Sequence, residues 1–168
     1  ELPDGNVVES VWMKYHHGNS VCISSQVGCR MGCRFCASTL DGLERNLLPS
    51  EMLEQIYSII RHTGERVSNI VVMGTGEPMD NYEHVMKSLR VMTSTWGCGW
   101  SPKRITVSSV GITPKLKHYI EECECHLAIS LHNPFSIERK EIMPIEKMYN
   151  LPQLITMLKQ YDWQHQRR

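Results

Sequence analysis

No stretch of this sequence approaches the ~20 consecutive apolar residues that a membrane-spanning helix needs, so no membrane is expected among its partners. Net charge is lacking too: 18 Lys and Arg balance 18 Asp and Glu. Without a global basic field, composition does not advertise a nucleic-acid partner. Arg30, Arg34, Arg45, Lys103, Arg104, Lys115 and Lys117 read one by one as solvated surface charge. No internal repeat or low-complexity tract interrupts the chain. No signal-peptide pattern opens it, and free cysteines without one point to a reducing cytoplasm. There is no initiator Met before Glu1-Leu2-Pro3, and Arg168 falls just past a helical pattern. Both ends look cut, so the expectation is a piece of a longer protein. What is present is the mixture of an ordinary globule, 41% apolar and 21% charged. Its 168 residues are about one domain with a real core.

Cysteine, by contrast, is concentrated. Three of seven fall in Cys29-Arg30-Met31-Gly32-Cys33-Arg34-Phe35-Cys36, spaced C-x3-C-x2-C. Gly28 and Gly32 leave that loop free to curl. A disulfide framework fits poorly, because three is odd. Structural zinc wants four closed ligands, usually from a repeated C-x2-C, and would have to recruit His16 or His17. Three buried packing thiols are the plainest alternative. Thiolates also hold iron–sulfur clusters, normally four to a [4Fe–4S] cube. Three leave one iron open to a small molecule, and the spacing favours that reading over the other two.

The rest of the chain alternates. Val7–Lys14 and Ser20–Ser24 have the period of two expected of a hairpin, with Gly18-Asn19 between them. A helix is expected from Pro49-Ser50-Glu51, with Ser50 as N-cap, Met52, Ile56, Ile59 and Ile60 as its apolar face, and Gly64 past its end. Asn69–Met73 is a short apolar run, expected as a strand buried on both faces. A helix over Asn81–Thr95, a strand over Arg104–Ser108, a helix over Thr113–Glu121 and a strand over His126–Leu131 follow. Asn133–Ile145 reads as a loop with one turn of helix near Glu138-Arg139, and Leu151–Tyr161 as the last helix. Residues 1–24 are strands leading into a core of residues 25–168. The class is α/β, with parallel strands and right-handed crossovers in an open sheet or part of a barrel.

In either architecture chemistry gathers where strands end, and unusual polar residues stand there. Gly74-Thr75-Gly76-Glu77-Pro78 lets a ligand approach the backbone. Glu77 precedes a proline and is held extended, so its carbonyl and carboxylate are expected to accept from an ammonium group. Ser108, Ser130 and His132 suit hydroxyls or a carboxylate. Singly each has a plain structural reading. Beside an open cluster they suggest a pocket for S-adenosylmethionine (SAM), whose amino and carboxylate groups can chelate the free iron. The cofactor then carries the hard chemistry, and the protein orients it in a dry pocket.

These residues, taken with Ser24-Ser25-Gln26-Val27-Gly28-Cys29, GTGEPMDN at 74–81, ITVSSVGITPKL at 105–116 and LAISLHNP at 127–134, resemble the RlmN/Cfr family of radical-SAM RNA adenine methyltransferases. The resemblance runs from about Gly5 to the last helix. It implies a partial (β/α) radical-SAM barrel preceded by a short β-hairpin. Cys29, Cys33 and Cys36 match the cluster ligands. Gly76 and Glu77, Ser108, and Ser130, Leu131 and His132 match the SAM-binding positions. Cys22 matches the cysteine that resolves a covalent protein–RNA intermediate through a disulfide. Glu9 matches an upstream acid that contacts the target base or handles its proton. The implied reaction methylates C2 of an adenine in 23S rRNA, and in tRNA as well, by way of a methyl-cysteine, with an electron donor reducing the cluster. C2 is electron-poor and has no lone pair, so direct attack on the SAM methyl fails. That is why the family uses SAM once to methylate a cysteine and once to make a radical.

The sequence also departs from the family. The methyl-carrying cysteine and a late SAM-binding asparagine lie beyond the Ser-Leu-His segment in relatives, and Cys98, Cys123 and Cys125 do not take their place. This stretch is therefore expected to hold cluster and SAM without methylating alone. Methylation at C8, which confers antibiotic resistance, stays open within the family. So do a cluster- and SAM-binding module without turnover and a structural zinc domain.

Overall fold

The structure is a computed structural model and describes residues 1–16 and 18–163. Twelve elements succeed one another along those residues: β1 (Val11–Met13), β2 (Asn19–Ile23), β3 (Gln26–Gly28), β4 (Leu43–Asn46), α1 (Pro49–Thr63), β5 (Val67–Val72), α2 (Tyr82–Thr93), β6 (Ile105–Ser109), α3 (Thr113–Glu122), β7 (His126–Ile129), α4 (Ser136–Ile142) and α5 (Leu151–Leu158). None of the helices is long and apolar enough to cross a membrane.

Five strands form one sheet in the order β1-β2-β5-β6-β7. β1 and β2 are the expected hairpin, antiparallel, with Val11 opposite Cys22 and Met13 opposite Ser20. From β2 onward every pairing is parallel. Residues 1–24 thus contribute strands to the same sheet as the rest. Among the described residues the sheet is open, with β1 and β7 at its edges. The expected run of parallel strands joined by helices is present. β3 and β4 pair antiparallel as a separate two-stranded ribbon around the cysteine loop. Sequence reading missed that ribbon, because neither strand carries an apolar alternation long enough to notice.

The helices cover one face. Val21 and Ile23, Ile70 and Val72, and Ile105 and Val107 are buried with Met52 and Ile56 of α1, Leu89 and Met92 of α2, Leu116 of α3 and Leu154 of α5. Between them on the opposite face stand Cys22, Val71, Thr106, Ser108 and Ala128, all half-buried. β5 was expected to be buried on both faces and is buried on one. Successive right-handed crossovers, all taken in one direction along the sheet, lay α1, α2, α3 and α5 on the same side, while α4 packs by the cysteine loop through Ile142.

Helix ends follow local chemistry. In α1, Pro49 takes the first helical position and Leu48, not Ser50, is the N-cap. Proline's fixed φ suits that first turn. Leu48 has no side-chain acceptor for the first-turn N–H groups, but its own N–H donates to the Glu51 carboxylate at 2.7 Å, the half of a capping box that needs no cap hydroxyl. The same carboxylate receives both Nη atoms of Arg45 at 2.8 Å. Gly64 closes the helix in the left-handed region at φ 67. The Arg45 hydrogen bonds hold the Glu51 carboxyl below its usual range. A carboxyl depressed in the folded state stabilises above its ordinary value of 4.5 and loses that contribution as pH falls below it. Glu51→Ala is therefore expected to cost about 1 kcal/mol near neutral pH. In chemical denaturation the difference from the parent should shrink on acidification, whereas a pH-independent difference would mean that capping charge plays no part.

The segment Asn133–Ile145 departs most from expectation. It holds a true helix, α4, followed by a 3-10 turn over Pro144–Lys147. The helix was hidden because Phe135 at its N-cap and Ile137 in its first turn face solvent. Its buried residue is a charged one, Arg139, so there is no apolar stripe to read.

Candidate active site

At the C-terminal ends of β5, β6 and β7 lies a cavity of about 430 Å³. Cys29, Cys33, Cys36, Gly76, Glu77, Ser108, Ser130, Leu131 and His132 all line it. Larger hollows, about 670 Å³ beside Phe135 and about 750 Å³ beside Lys103, gather no such set of thiols and strand-end groups.

The cysteine loop is tied down from three directions. The Cys29 N–H donates to the Gly42 carbonyl at 2.8 Å and the Arg34 N–H to the Ile142 carbonyl at 2.9 Å. Arg30 grips Asp80 through two nitrogens, at 2.9 and 2.5 Å. Thr39 Oγ1 donates to the Cys36 carbonyl at 3.0 Å. Cys29 and Cys33 are buried against Met31, Val110, Met143 and Ile145, with Cys36 at the margin. All three are free thiols. Burial raises Cys33 and pushes Cys29 up to about 11, so their thiolate forms call for a cationic partner. Three thiols lining one roomy cavity fit a cluster with an open iron. His16 does not line this cavity, and His17 lies outside the described residues. Among the described residues no three His, Cys, Asp or Glu side chains converge on a single-ion site.

The Gly74–Pro78 turn folds back on the chain that follows β2. The Ser25 and Gln26 N–H groups both donate to the Thr75 carbonyl, at 2.9 and 3.1 Å. The Glu77 N–H donates to Gln26 Oε1 at 2.8 Å. Gly76 sits at φ 106. Glu77 is buried, with its carboxylate accepting from the Met79 N–H at 3.0 Å and the Val110 N–H at 2.9 Å. Its carbonyl accepts from the N–H groups of Asp80 and Asn81. Both acceptors thus also serve the chain's own donors. Glu77 fastens the glycine turn to the exit of β6. Burial, only partly offset by these donors, pushes its carboxyl up to about 7.

Ser108 and Ser130 meet, Oγ to Oγ, at 3.1 Å. His132 is held at φ 54, a left-handed conformation uncommon outside glycine. Its ring lies 4.4 Å from that of Phe35, which brings the β7 exit against the cysteine loop.

Two expected site residues lie outside the cavity. Cys22 is half-buried on β2, opposite Val71, which is in turn opposite Thr106. That places it on the open face of the sheet, one row before Ser108. Glu9 is exposed, and its carbonyl accepts from Ser24 Oγ at 2.8 Å. Sequence reading missed Arg139 and the Arg30–Asp80 clamp. The clamp had a signal: a basic residue inside the cysteine loop and an acidic one just past the glycine turn.

Comparison with known proteins agrees with this geometry. A family model described as the Radical SAM superfamily matches residues 23–161. A protein of Lachnoclostridium phytofermentans called "Probable dual-specificity RNA methyltransferase RlmN" is 59% identical over 161 residues, 95% of this chain and 45% of that protein. A Clostridium botulinum protein of the same name is 50% identical over 169 residues, covering 100% of this chain and 49% of its own length. The crystal structure of a radical SAM methyltransferase from Sphaerobacter thermophilus superposes with a TM-score of 0.90 at 38% identity, over 95% of this chain and 48% of that one. The chain spans about half the length of the curated relatives it matches. With the family model running through the cysteine loop and every strand-end turn, the chain belongs to the Radical SAM superfamily, and its cofactors are a [4Fe–4S] cluster and SAM.

Proposed function

We propose that this chain is the cofactor-binding core of an RNA methyltransferase that modifies C2 of an adenine in 23S rRNA and in tRNA. The observation that carries the reading is the position of Cys22, a free thiol on the open face of the sheet one row before Ser108. Identity of 50% or more to proteins named as dual-specificity RNA methyltransferases supports the substrate class.

Cys29, Cys33 and Cys36 would hold the cluster, and Gly76, Glu77, Ser108 and the Ser130–His132 segment, which line the same cavity, would hold SAM. When bound, cluster and SAM supply hydrogen-atom abstraction by a radical, which ordinary methyl transfer lacks. Phe35 and His132 close one wall of the pocket. Glu9 is assigned to the target base or its proton. The adduct that Cys22 would resolve joins the RNA, through a methylene, to a second cysteine of the full-length enzyme. The Cys22 thiolate attacks that second sulfur. An S–S bond forms, the S–C bond breaks, and its electron pair with a proton completes the methyl group on the base. The cluster would take its electron from an external donor, and a reducing cytoplasm suits the free thiols.

Cys22→Ala in the full-length enzyme is expected to stop at the adduct, seen as protein that co-migrates with RNA under denaturing conditions and is released by nuclease. Product released at the parental rate would remove Cys22 from this role. Mass spectrometry of nucleosides from RNA methylated by the parent enzyme separates the C2 from the C8 product.

A further inference from the structure

Arg139 has the one fully enclosed guanidinium among the described residues, and nothing in the reaction above uses it. Its Nη1 pairs with Glu146, itself buried. Nη2 donates to the Val110 carbonyl at 2.7 Å and to the Ser130 carbonyl at 3.1 Å. Nε donates to the Leu131 carbonyl at 3.1 Å. The three carbonyls belong to the exits of β6 and β7. Val110 also gives its N–H to the Glu77 carboxylate. Glu146 is held in turn by Ser136 Oγ at 2.6 Å and the Leu151 N–H at 2.7 Å.

Stability is a poor reason for this arrangement. A buried ion pair loses so much hydration that apolar replacements often match it. A planar guanidinium does what no apolar side chain and no lysine can: it fixes carbonyls of two loops at set angles. One of those loops carries His132 in its strained conformation, which persists only where its surroundings over-determine it.

We propose that Arg139, oriented by Glu146, is a positioning residue for SAM. It sets Ser130-Leu131-His132 against the Val110–Glu77 side of the cavity so that the pocket is formed before the ligand arrives. The proposal rests on the reading of those residues as SAM contacts.

The test uses the full-length protein with its cluster reconstituted anaerobically. SAM affinity is measured by equilibrium dialysis, alongside iron content and the thermal midpoint. Arg139→Lys keeps a charge opposite Glu146 and loses the fork. The double variant Arg139→Met with Glu146→Gln removes both charges and leaves no buried ion unpaired. Each is expected to keep its iron and a cooperative transition while binding SAM roughly 10- to 100-fold more weakly. Parental SAM affinity in either folded variant would overturn the proposal. Loss of fold in both would do so too, because the role would then be structural. Ser108→Ala and Ser130→Ala separate the two layers of the argument. If they weaken SAM binding and the Arg139 variants do not, the positioning role fails alone. If none of the four weakens it, the reading of the pocket fails.

Discussion

Cys33→Ala is expected to leave the protein colourless after anaerobic reconstitution, with iron at background and no SAM cleavage on addition of a reductant. Cys33 is buried in one cluster with Met143 and Ile145 and lines the cavity. No other cysteine among the described residues lines that cavity beyond Cys29 and Cys36. Two thiolates cannot hold a cube whose ligand set is already one short of four. The fold should survive, since losing one small buried sulfur costs about 1 kcal/mol. Cys125→Ala is the control. It is equally buried at the start of β7 but packs in the main core, so it should keep its colour and iron. A parent protein that stays colourless and carries stoichiometric zinc would overturn the cluster assignment. Full iron in Cys33→Ala would remove that residue from the ligand set.

The second large effect is expected at Gly76. A Cβ there would lie 2.6 Å from Gln26 Cβ and 2.8 Å from both the Gln26 nitrogen and Ser25 Oγ. The neighbour cannot swing aside, because the Ser25 and Gln26 amides are both hydrogen-bonded to Thr75 of the same turn. The backbone at φ 106 is also one that L-residues avoid. Strain and overpacking together should cost Gly76→Ala about 3 kcal/mol or more, a large share of the ~5–15 kcal/mol that typically separates folded from unfolded. Urea denaturation of the cluster-free protein reads this directly. Gly76→Ala with parental stability but no affinity for SAM would mean that the glycine serves the ligand alone. The expected result is that it serves the fold first, and the ligand through the turn's shape.

What was legible in the sequence was whatever depended on residue chemistry or strong periodicity. The cysteine loop needed no geometry: three thiols in eight positions state their purpose through spacing. The hairpin and the order of helices and strands followed from alternation and caps, and Gly64 marked a helix end that the structure places there. What stayed hidden was set by distant partners. Nothing near Asn69–Met73 says that α1, α2, α3 and α5 would all fall on one side, so β5 looked buried on both. Nothing near Glu77 says that the Val110 amide would arrive to occupy its carboxylate. Arg139 disguised α4, because a buried charge breaks the apolar pattern by which helices are found. Leu48 took the cap of α1 from Ser50 because Pro49 fills the first helical position and the Glu51 carboxylate, three residues on, accepts the Leu48 N–H.

The apolar interior is divided. One cluster fills the space between the sheet and its helices, and a second, smaller one lies under the cysteine loop. The loop is held in that second cluster by Gly42, Asp80 and Ile142, each from a different part of the chain. Small zinc domains derive their folding energy from the metal and collapse when it is removed. Here the larger cluster includes none of the three loop cysteines. Oxygen damage to the cofactor would therefore soften one corner and leave the rest standing, so the stripped protein is a vessel that can be refilled and not a chain that must fold again.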